Sequence, residues 1–159
     1  GIEQDENKVA RCIERGLSVL QGDFGEEVGD YPDLCFDCVI LSQTLQQVMD
    51  PKELIIELLR IGKRVIVSFP NFSHWYVRLQ ILFSGQAPVT DQLPYEWYDS
   101  PNIRVITIRD FKRFLRMIGV RLMKEVAINT HHHDSNGHVI KYLPNLRASY
   151  GIMMLERPG

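Results

Sequence analysis

The chain has 159 residues, of which 45% are hydrophobic and 24% are charged, and its formal net charge is −2. This length and composition are typical of one globular domain whose core can form without disulfide bonds or metal ions. The slightly acidic balance argues against a broad nucleic-acid-binding surface, and no apolar run is long enough to span a membrane. The three cysteines do not form a disulfide framework, so we expect a cytoplasmic protein.

The first part of the chain alternates helices with strands. Residues 5–15 have helical spacing, and Gly16 supplies a left-handed stop. A short strand is predicted at 17–20. A second strand is predicted at 36–41, where a nearly continuous apolar run is typical of a strand covered on both faces. The residues that share the apolar face of the helix are Val9, Cys12 and Ile13.

The middle of the chain predicts a well-delimited helix followed by a buried strand at 64–69. Asp50 is placed to cap the helix, Pro51 suits its first position, and Gly62 follows its end. Glu53 completes the spacing of a capping box. The buried stripe is predicted to consist of Leu54, Ile55, Leu58 and Leu59.

The C-terminal part predicts one helix and two strands. Thr107 begins the helix as its cap, and Gly119 closes it. The strands are expected at 122–128 and 150–155, with an exposed polar loop over 129–146 between them. The buried stripe of the helix is predicted to consist of Phe111, Phe114, Leu115 and Ile118.

This order of elements predicts an α/β fold with a doubly wound, mostly parallel sheet and helices on both faces. The two late strands have no helix between them, so we expect an antiparallel C-terminal hairpin at one edge, an ending that resembles class I methyltransferases. A doubly wound sheet also needs a strand and a glycine-rich turn before Gly1. Residues 1–159 are therefore expected to be a single methyltransferase-like domain that lacks its N-terminal part, and a complete protein with a smaller sheet is the alternative.

Residues 71–104 do not fit the alternation of strands and helices. This segment is rich in aromatic residues and is interrupted by Pro88, Pro94 and Pro101. A connection of this length inside a domain is usually a binding loop or a lid. We therefore expect an aromatic lid insertion here.

Polar residues stand where the predicted strands end. Glu3, Asp23 and Asn71 each follow a strand, and Ser42 with Gln43 follows another. Ligands of an open parallel sheet bind beyond the carboxyl ends of its strands. A carboxylate after one strand can accept both ribose hydroxyls, and an acid after the next can accept the exocyclic amine of adenine. Together they indicate an adenosine site, whereas each acid alone is more typical of a turn or a helix cap.

Several strings of the sequence are distinctive. GIEQDENKVARCIERGLSVLQGD resembles the second strand, helix and third strand of class I S-adenosylmethionine methyltransferases, and FDCVILSQTLQQVMDP resembles their fourth strand and following helix. More specifically, SQTLQQV, RVIVSFPNFSHWYVRLQ, PVTDQLPYEWYDSPNI and TIRDF resemble the methionine biosynthesis family MetW. The similarity extends over most of residues 1–128.

This resemblance implies a site for S-adenosylmethionine or S-adenosylhomocysteine. Glu3 would hold the ribose hydroxyls, and Asp23 with Phe24 would contact the adenine. Ser42 and Gln43 would lie near the methionine part of the cofactor. The resemblance also implies a protein partner, because MetW-like proteins accompany homoserine O-acyltransferase.

Methyl transfer depends on alignment and exclusion of water more than on a catalytic base. Gln46-Gln47 departs from the Glu-His pair common in small-molecule methyltransferases, and this departure puts methyl transfer in doubt. His74 is the best candidate for a base, although a histidine that only packs or hydrogen-bonds in the lid is favoured over it. The second-rank candidates are Tyr95, Glu96 and Tyr98.

The aromatic lid has three interpretations. It could close over an apolar substrate, dock a protein partner, or pack onto the sheet, and docking and packing are favoured equally over substrate binding. Aromatic residues with arginine are the usual anchors of protein interfaces. The candidate partner-binding residues are Trp75, Tyr76, Arg78 and Trp97.

The cysteines and histidines do not predict a metal site. Cys35 and Cys38 form one C-x-x-C pair, but a structural zinc site needs four ligands, and Cys38 is expected to be a buried strand residue. The histidines at 131–133 and His138 lie in a loop with spacing that does not suit a single ion.

Three functions are considered. The favoured one is an accessory protein that keeps the nucleotide-binding fold and partners homoserine O-acyltransferase. The alternative is an active methyltransferase that uses S-adenosylmethionine on a small molecule. A nicotinamide-dependent oxidoreductase is disfavoured, because the sequence has no G-x-G-x-x-G fingerprint and has the late strand pair.

Overall fold

The computed structural model describes residues 1–130 and 137–157. The histidines at 131–133 lie outside these residues. The strands are β1 (Ile2–Glu3), β2 (Leu20–Gln21), β3 (Val39–Ser42), β4 (Val65–Pro70), β5 (Arg121–Asn129), β6 (His138–Val139) and β7 (Tyr150–Glu156). The helices are α1 (Glu6–Glu14), α2 (Phe24–Glu27), α3 (Pro51–Ile61), α4 (Trp75–Ser84), α5 (Ile108–Met117) and α6 (Pro144–Arg147).

The described strands form two sheets. β1 and β2 pair in parallel, and the larger sheet has the order β3-β4-β7-β5-β6. β3 is parallel to β4, whereas β7 is antiparallel to both of its neighbours. β3, β4 and β5 therefore run in the same direction, and the α/β architecture expected from the sequence is confirmed.

The late strands pair as predicted, but β7 does not lie at an edge. β5 and β7 are antiparallel, from Leu122 opposite Leu155 to Ile128 opposite Tyr150. β7 lies between β4 and β5, with β6 at the outer edge. Its nearly continuous apolar run suits such an interior strand. The predicted loop between the late strands is also corrected, because its described part contains β6 and α6.

The caps of α3 and α5 and the buried stripe of α3 are confirmed, whereas Phe114 and Ile118 of the predicted α5 stripe are only half-buried. Asp50 caps α3 by accepting hydrogen bonds from two backbone N–H groups at 3.0 Å, and Thr107 caps α5 through the N–H of Asp110. Gly119 closes α5 in the left-handed conformation, with φ of 73°. The core combines the stripe of α3 with β4, β7 and α5. Its fully buried side chains include Ile55, Val65, Val67, Phe69, Ile108, Leu115, Met153 and Leu155.

The N-terminal elements differ from the predictions in extent and burial. β2 and β3 begin at Leu20 and Val39, each three residues later than predicted. Ile40 is 68% exposed, so β3 is not covered on both faces, and Cys38 is exposed rather than buried. In residues 1–130 and 137–157, neither β1 nor β2 pairs with β3, which leaves this side of β3 open. A further strand and glycine-rich turn before Gly1 stay a prediction.

The predicted lid contains a helix. α4 begins after His74 and ends at Gly85, which adopts the left-handed conformation with φ of 66°. Val77 is its buried residue, and most of its other apolar side chains are exposed. After α4, the buried Leu93 pairs with Thr90 through two backbone hydrogen bonds of 3.0 Å. Whether residues 71–104 act as a lid stays a prediction.

Candidate functional site

A cavity of about 1210 Å³ lies at the carboxyl ends of β1, β2 and β3. The carboxyl ends of parallel strands meet on one side of a fold, which is where open α/β sheets bind ligands. All five residues predicted to bind the cofactor line this cavity, namely Glu3, Asp23, Phe24, Ser42 and Gln43. Their binding of a cofactor stays a prediction, but the structure brings them together.

Glu3 ends β1 and faces the cavity. Its Oε1 accepts a hydrogen bond from the backbone N–H of Asp5 at 3.1 Å and lies 4.0 Å from Nζ of Lys8. Within residues 1–130 and 137–157, these contacts use Oε1 alone. The second carboxylate oxygen is therefore left to accept hydroxyl donors.

Asp23 follows β2 and is also the N-cap of α2. Its Oδ1 accepts from the N–H of Gly25 at 2.7 Å, and its Oδ2 accepts from Nε2 of Gln4 at 2.7 Å. A carboxylate has about four acceptor positions, so each oxygen can take one further donor. The helix-cap interpretation of Asp23 is therefore correct, and it leaves room for an adenine amine.

The end of β3 has an unusual backbone conformation at Gln43. Its φ is 50°, in the left-handed region that a residue with a side chain seldom adopts. The backbone N–H of Gln43 donates to the carbonyl of Ser68 at 3.0 Å, and the hydroxyls of Ser68 and Ser42 lie 3.4 Å apart. Such local strain is common at ligand sites, where surrounding contacts hold it in place.

The charge of the lining fits an adenosyl cofactor. S-Adenosylmethionine carries a sulfonium, an ammonium and a carboxylate and is a net cation, and the described lining has one basic residue, Lys8. Its acidic residues are Glu3, Asp23, Asp50, Glu53 and Glu57. An excess of carboxylates in a concave site favours a cationic ligand. If bound, the cofactor would supply an activated methyl group.

The predicted catalytic candidates do not all line this cavity. Tyr95 lines it, whereas His74, Glu96 and Tyr98 do not belong to its described lining. Burial lowers the pKa of His74 below its ordinary value, and a backbone hydrogen bond with Arg147 opposes this shift. The Nε2 atom of His74 is buried and has no hydrogen-bond partner among the described residues. Of these four candidates, Tyr95 is the one that belongs to the described cavity lining together with the predicted cofactor residues.

Asn71, the fourth polar residue at a strand end, contacts the protein itself. Its amide donates to the carbonyl oxygens of Asn145 at 3.0 Å and Ala148 at 2.8 Å. Its carbonyl oxygen accepts from the N–H groups of Ser73 at 3.2 Å and Ile108 at 3.4 Å. Asn71 does not belong to the described cavity lining, and we assign it a structural role.

The predicted partner-binding residues lie on the surface. Trp75 and Tyr76 are half-exposed at the start of α4, and Trp97 is largely exposed. Arg78 is less free, because its Nε donates to the carbonyl of Ser73 at 2.8 Å and its Nη2 contacts the hydroxyl of the same residue. Sequence reasoning missed two exposed residues near the end of α4, Leu82 and Phe83.

In the part of the chain that the structure describes, no group of three or more His, Cys, Asp or Glu side chains could hold a metal ion. The three cysteines are free thiols. No helix within the described ranges is long and apolar enough to cross a membrane.

The fold is that of S-adenosylmethionine-dependent methyltransferases. A methyltransferase from Thermotoga maritima, described as a possible histamine N-methyltransferase, superposes with a TM-score of 0.66 at 17% identity, over 99% of this chain and 72% of its own. A second methyltransferase, from Archaeoglobus fulgidus, has a TM-score of 0.62 at 18% identity, over 99% of this chain and 75% of its own.

The chain belongs to the MetW family. The family model described as methionine biosynthesis protein MetW matches residues 1–155. The bifunctional methionine biosynthesis protein MetXA/MetW of Rhodopirellula baltica is 33% identical over 127 residues. The alignment covers 79% of this chain and 20% of that relative, so the chain matches about a fifth of the relative's length.

Proposed function

We propose that this chain is an accessory protein of methionine biosynthesis that binds S-adenosylmethionine or S-adenosylhomocysteine and partners homoserine O-acyltransferase in the cytoplasm. The observation that carries the proposal is the exposed apolar helix α4. The name of the Rhodopirellula relative joins MetXA, which we equate with the acyltransferase, to MetW. Linking two domains in one chain raises their effective concentration, which favours an interaction between them. The free thiols support the cytoplasmic setting.

The docking surface in this proposal is formed by Trp75, Tyr76, Leu82 and Phe83 of α4, and Trp97 is a further exposed candidate outside this helix. Phe83 is 80% exposed, Leu82 is 72% exposed, and Trp75 and Tyr76 are about half-exposed. Monomeric proteins rarely expose large contiguous apolar patches, and such patches mark interaction sites. The one charged residue of α4, Arg78, is bound to Ser73, so the surface would suit an apolar groove on the acyltransferase.

Co-purification of the full-length protein with homoserine O-acyltransferase tests this proposal. We expect a complex at micromolar concentration and an affinity at least about tenfold lower for Phe83→Glu, because a charge would be buried in the apolar interface. Met117→Glu is the matched control, since Met117 is similarly exposed but lies on α5. Separation of the unaltered proteins, or equal affinity of the two variants, would contradict the proposal.

An active methyltransferase is the second candidate. The acidic cavity and the position of Tyr95 at its lining favour it. Full-length protein incubated with S-adenosylmethionine and small-molecule metabolites should then form S-adenosylhomocysteine and a methylated product. Formation of neither would exclude this candidate and leave the accessory role.

A further inference from the structure

Arg60, near the end of α3, makes an extensive set of hydrogen bonds through its side chain. The guanidinium donates five hydrogen bonds of 2.7 to 3.3 Å, which equals the number of N–H donors that it has. The side chain is 21% exposed, so most of it is shielded from water. The acceptors are the carboxylates of Glu57 and Asp33 and the backbone carbonyls of Val28, Gly29 and Tyr31.

The three backbone carbonyls lie at the end of one helical segment. α2 passes directly into a turn of 3-10 helix at Val28–Asp30, and Asp23 caps the start of α2. The last carbonyls of a helix lack partners within the helix, and a basic side chain can supply the missing donors. Arg60 therefore anchors one end of this segment, and Asp23 stands at the other end.

The same segment forms one wall of the cavity. β2, which leads into it, pairs with β1 and with no other strand in residues 1–130 and 137–157. The wall is instead joined to α3 by the hydrogen bonds of Arg60 and by apolar packing, in which Val28 is buried. The residues of this wall that line the cavity are Asp23, Phe24, Gly25, Val28 and Gly29.

Selectivity for a base depends on where this wall holds Asp23. The carboxylate of Asp23 is predicted to accept the exocyclic amine of adenine. Hypoxanthine has an oxygen acceptor in place of that amine, so a carboxylate in a fixed position would face a second acceptor and reject this base. A wall that shifted would let the carboxylate move away from the wrong base and would align it less well with the right one.

We propose that Arg60 is a positioning residue that fixes the wall carrying Asp23 and thereby makes the cavity selective for adenine. This inference rests on the cofactor site of the proposed function and adds to it a residue outside the described cavity lining. A lysine cannot replace Arg60, because its three donors share one nitrogen and do not reach acceptors spread along a turn. Arg60→Lys therefore keeps the charge and loosens the wall.

Two ligands measure the selectivity when each is titrated by calorimetry into the full-length protein. S-Adenosylhomocysteine carries adenine, and S-inosylhomocysteine is the same molecule with hypoxanthine in its place. The unaltered protein should bind S-adenosylhomocysteine at least about tenfold more tightly than S-inosylhomocysteine. Arg60→Lys should reduce this ratio of affinities to below about threefold, because the carboxylate is no longer held in one position.

Two control variants separate positioning from stability. Arg121→Lys makes the same substitution in the ion pair with Glu156, outside the described cavity lining. Leu115→Ala lowers the stability of the protein by emptying a buried site on α5. Both controls should keep the selectivity of the unaltered protein. Full selectivity in Arg60→Lys, or an equal loss of selectivity in Leu115→Ala, would overturn the role of Arg60.

The unaltered protein distinguishes this inference from the proposed function on which it rests. If it binds the two ligands with equal affinity, the inference is overturned and the cofactor site remains. If it binds neither ligand, the cofactor site of the proposed function is itself overturned.

Discussion

The side-chain amide of Asn71 donates a hydrogen bond to the carbonyl oxygen of Ala148 at 2.8 Å and thereby joins the end of β4 to the start of β7. Asn71 is 3% exposed, and its carbonyl oxygen also accepts from the N–H of Ile108, the first residue of α5. One side chain therefore connects three elements of the core.

We expect Asn71→Leu to lower the free energy of unfolding by about 2–4 kcal/mol, because several buried backbone groups would lose their partner. Urea denaturation measures this change. Asn7→Ala on the exposed face of α1 is the control and should change the free energy of unfolding by less than about 0.5 kcal/mol. A loss for Asn71→Leu as small as that of the control would contradict the structural role.

Gly62 allows β3 to pack closely against the end of α3. A Cβ atom added to Gly62 would lie 2.6 Å from Cγ2 of Val39 and 3.2 Å from two backbone oxygens. Because a β-branched side chain moves little, Gly62→Ala should lower the free energy of unfolding by about 1–3 kcal/mol.

Val39→Ala removes the methyl group that the new Cβ would meet. The loss in free energy of unfolding of the double variant should therefore be about 1 kcal/mol smaller than the sum of the two single losses. Urea denaturation of all four proteins, as a double-mutant cycle, measures this difference. Strict additivity would show that Val39 and Gly62 do not share this contact.

His74 should make stability depend on pH. Burial lowers its pKa, so the fold favours the neutral imidazole. Above the ordinary pKa of about 6.5, both the folded and the unfolded chain are neutral at this site, and the stabilisation is fully present. As the pH falls below that value, the unfolded chain takes up a proton first, and stability is lost until the lowered pKa is passed.

The free energy of unfolding of the unaltered protein and of His74→Gln, measured from about pH 8 to about pH 5, tests this expectation. The free energy of unfolding of the unaltered protein minus that of His74→Gln should be constant at the alkaline end and should decrease as the pH falls below about 6.5. Taking this difference removes the effect of the carboxyl groups, which titrate in both proteins. A difference that is constant or rises on acidification would contradict the account.

Local signals explain which elements the sequence predicted well. The caps Asp50 and Thr107 and the apolar stripes of α3 and α5 lie within a few residues of the positions that they determine. Burial of β3 could not be predicted in the same way. Ile40 stands in an apolar run, yet it is exposed because covering a strand depends on elements from elsewhere in the chain.

The same distinction applies to the candidate site. Glu3, Asp23, Ser42 and Gln43 could be selected because the ends of parallel strands converge, and they do line one cavity. The hydrogen bond of Gln46 could not be predicted, because only the turn after β3 brings its amide against the carbonyl of Gln43. Asn71 has the same strand-end position as the other candidates, and only its contacts reveal that it is structural.

The most direct test of the account is whether the cavity binds an adenosyl ligand through Glu3. S-Adenosylhomocysteine would be titrated by calorimetry into the full-length protein, Glu3→Gln and the control Glu6→Gln, which alters an exposed acid of α1 outside the described cavity lining. The account predicts micromolar binding that Glu3→Gln weakens about tenfold, because a charged acceptor is lost, and that the control leaves unchanged. Absence of binding, or equal affinity for all three proteins, would contradict it.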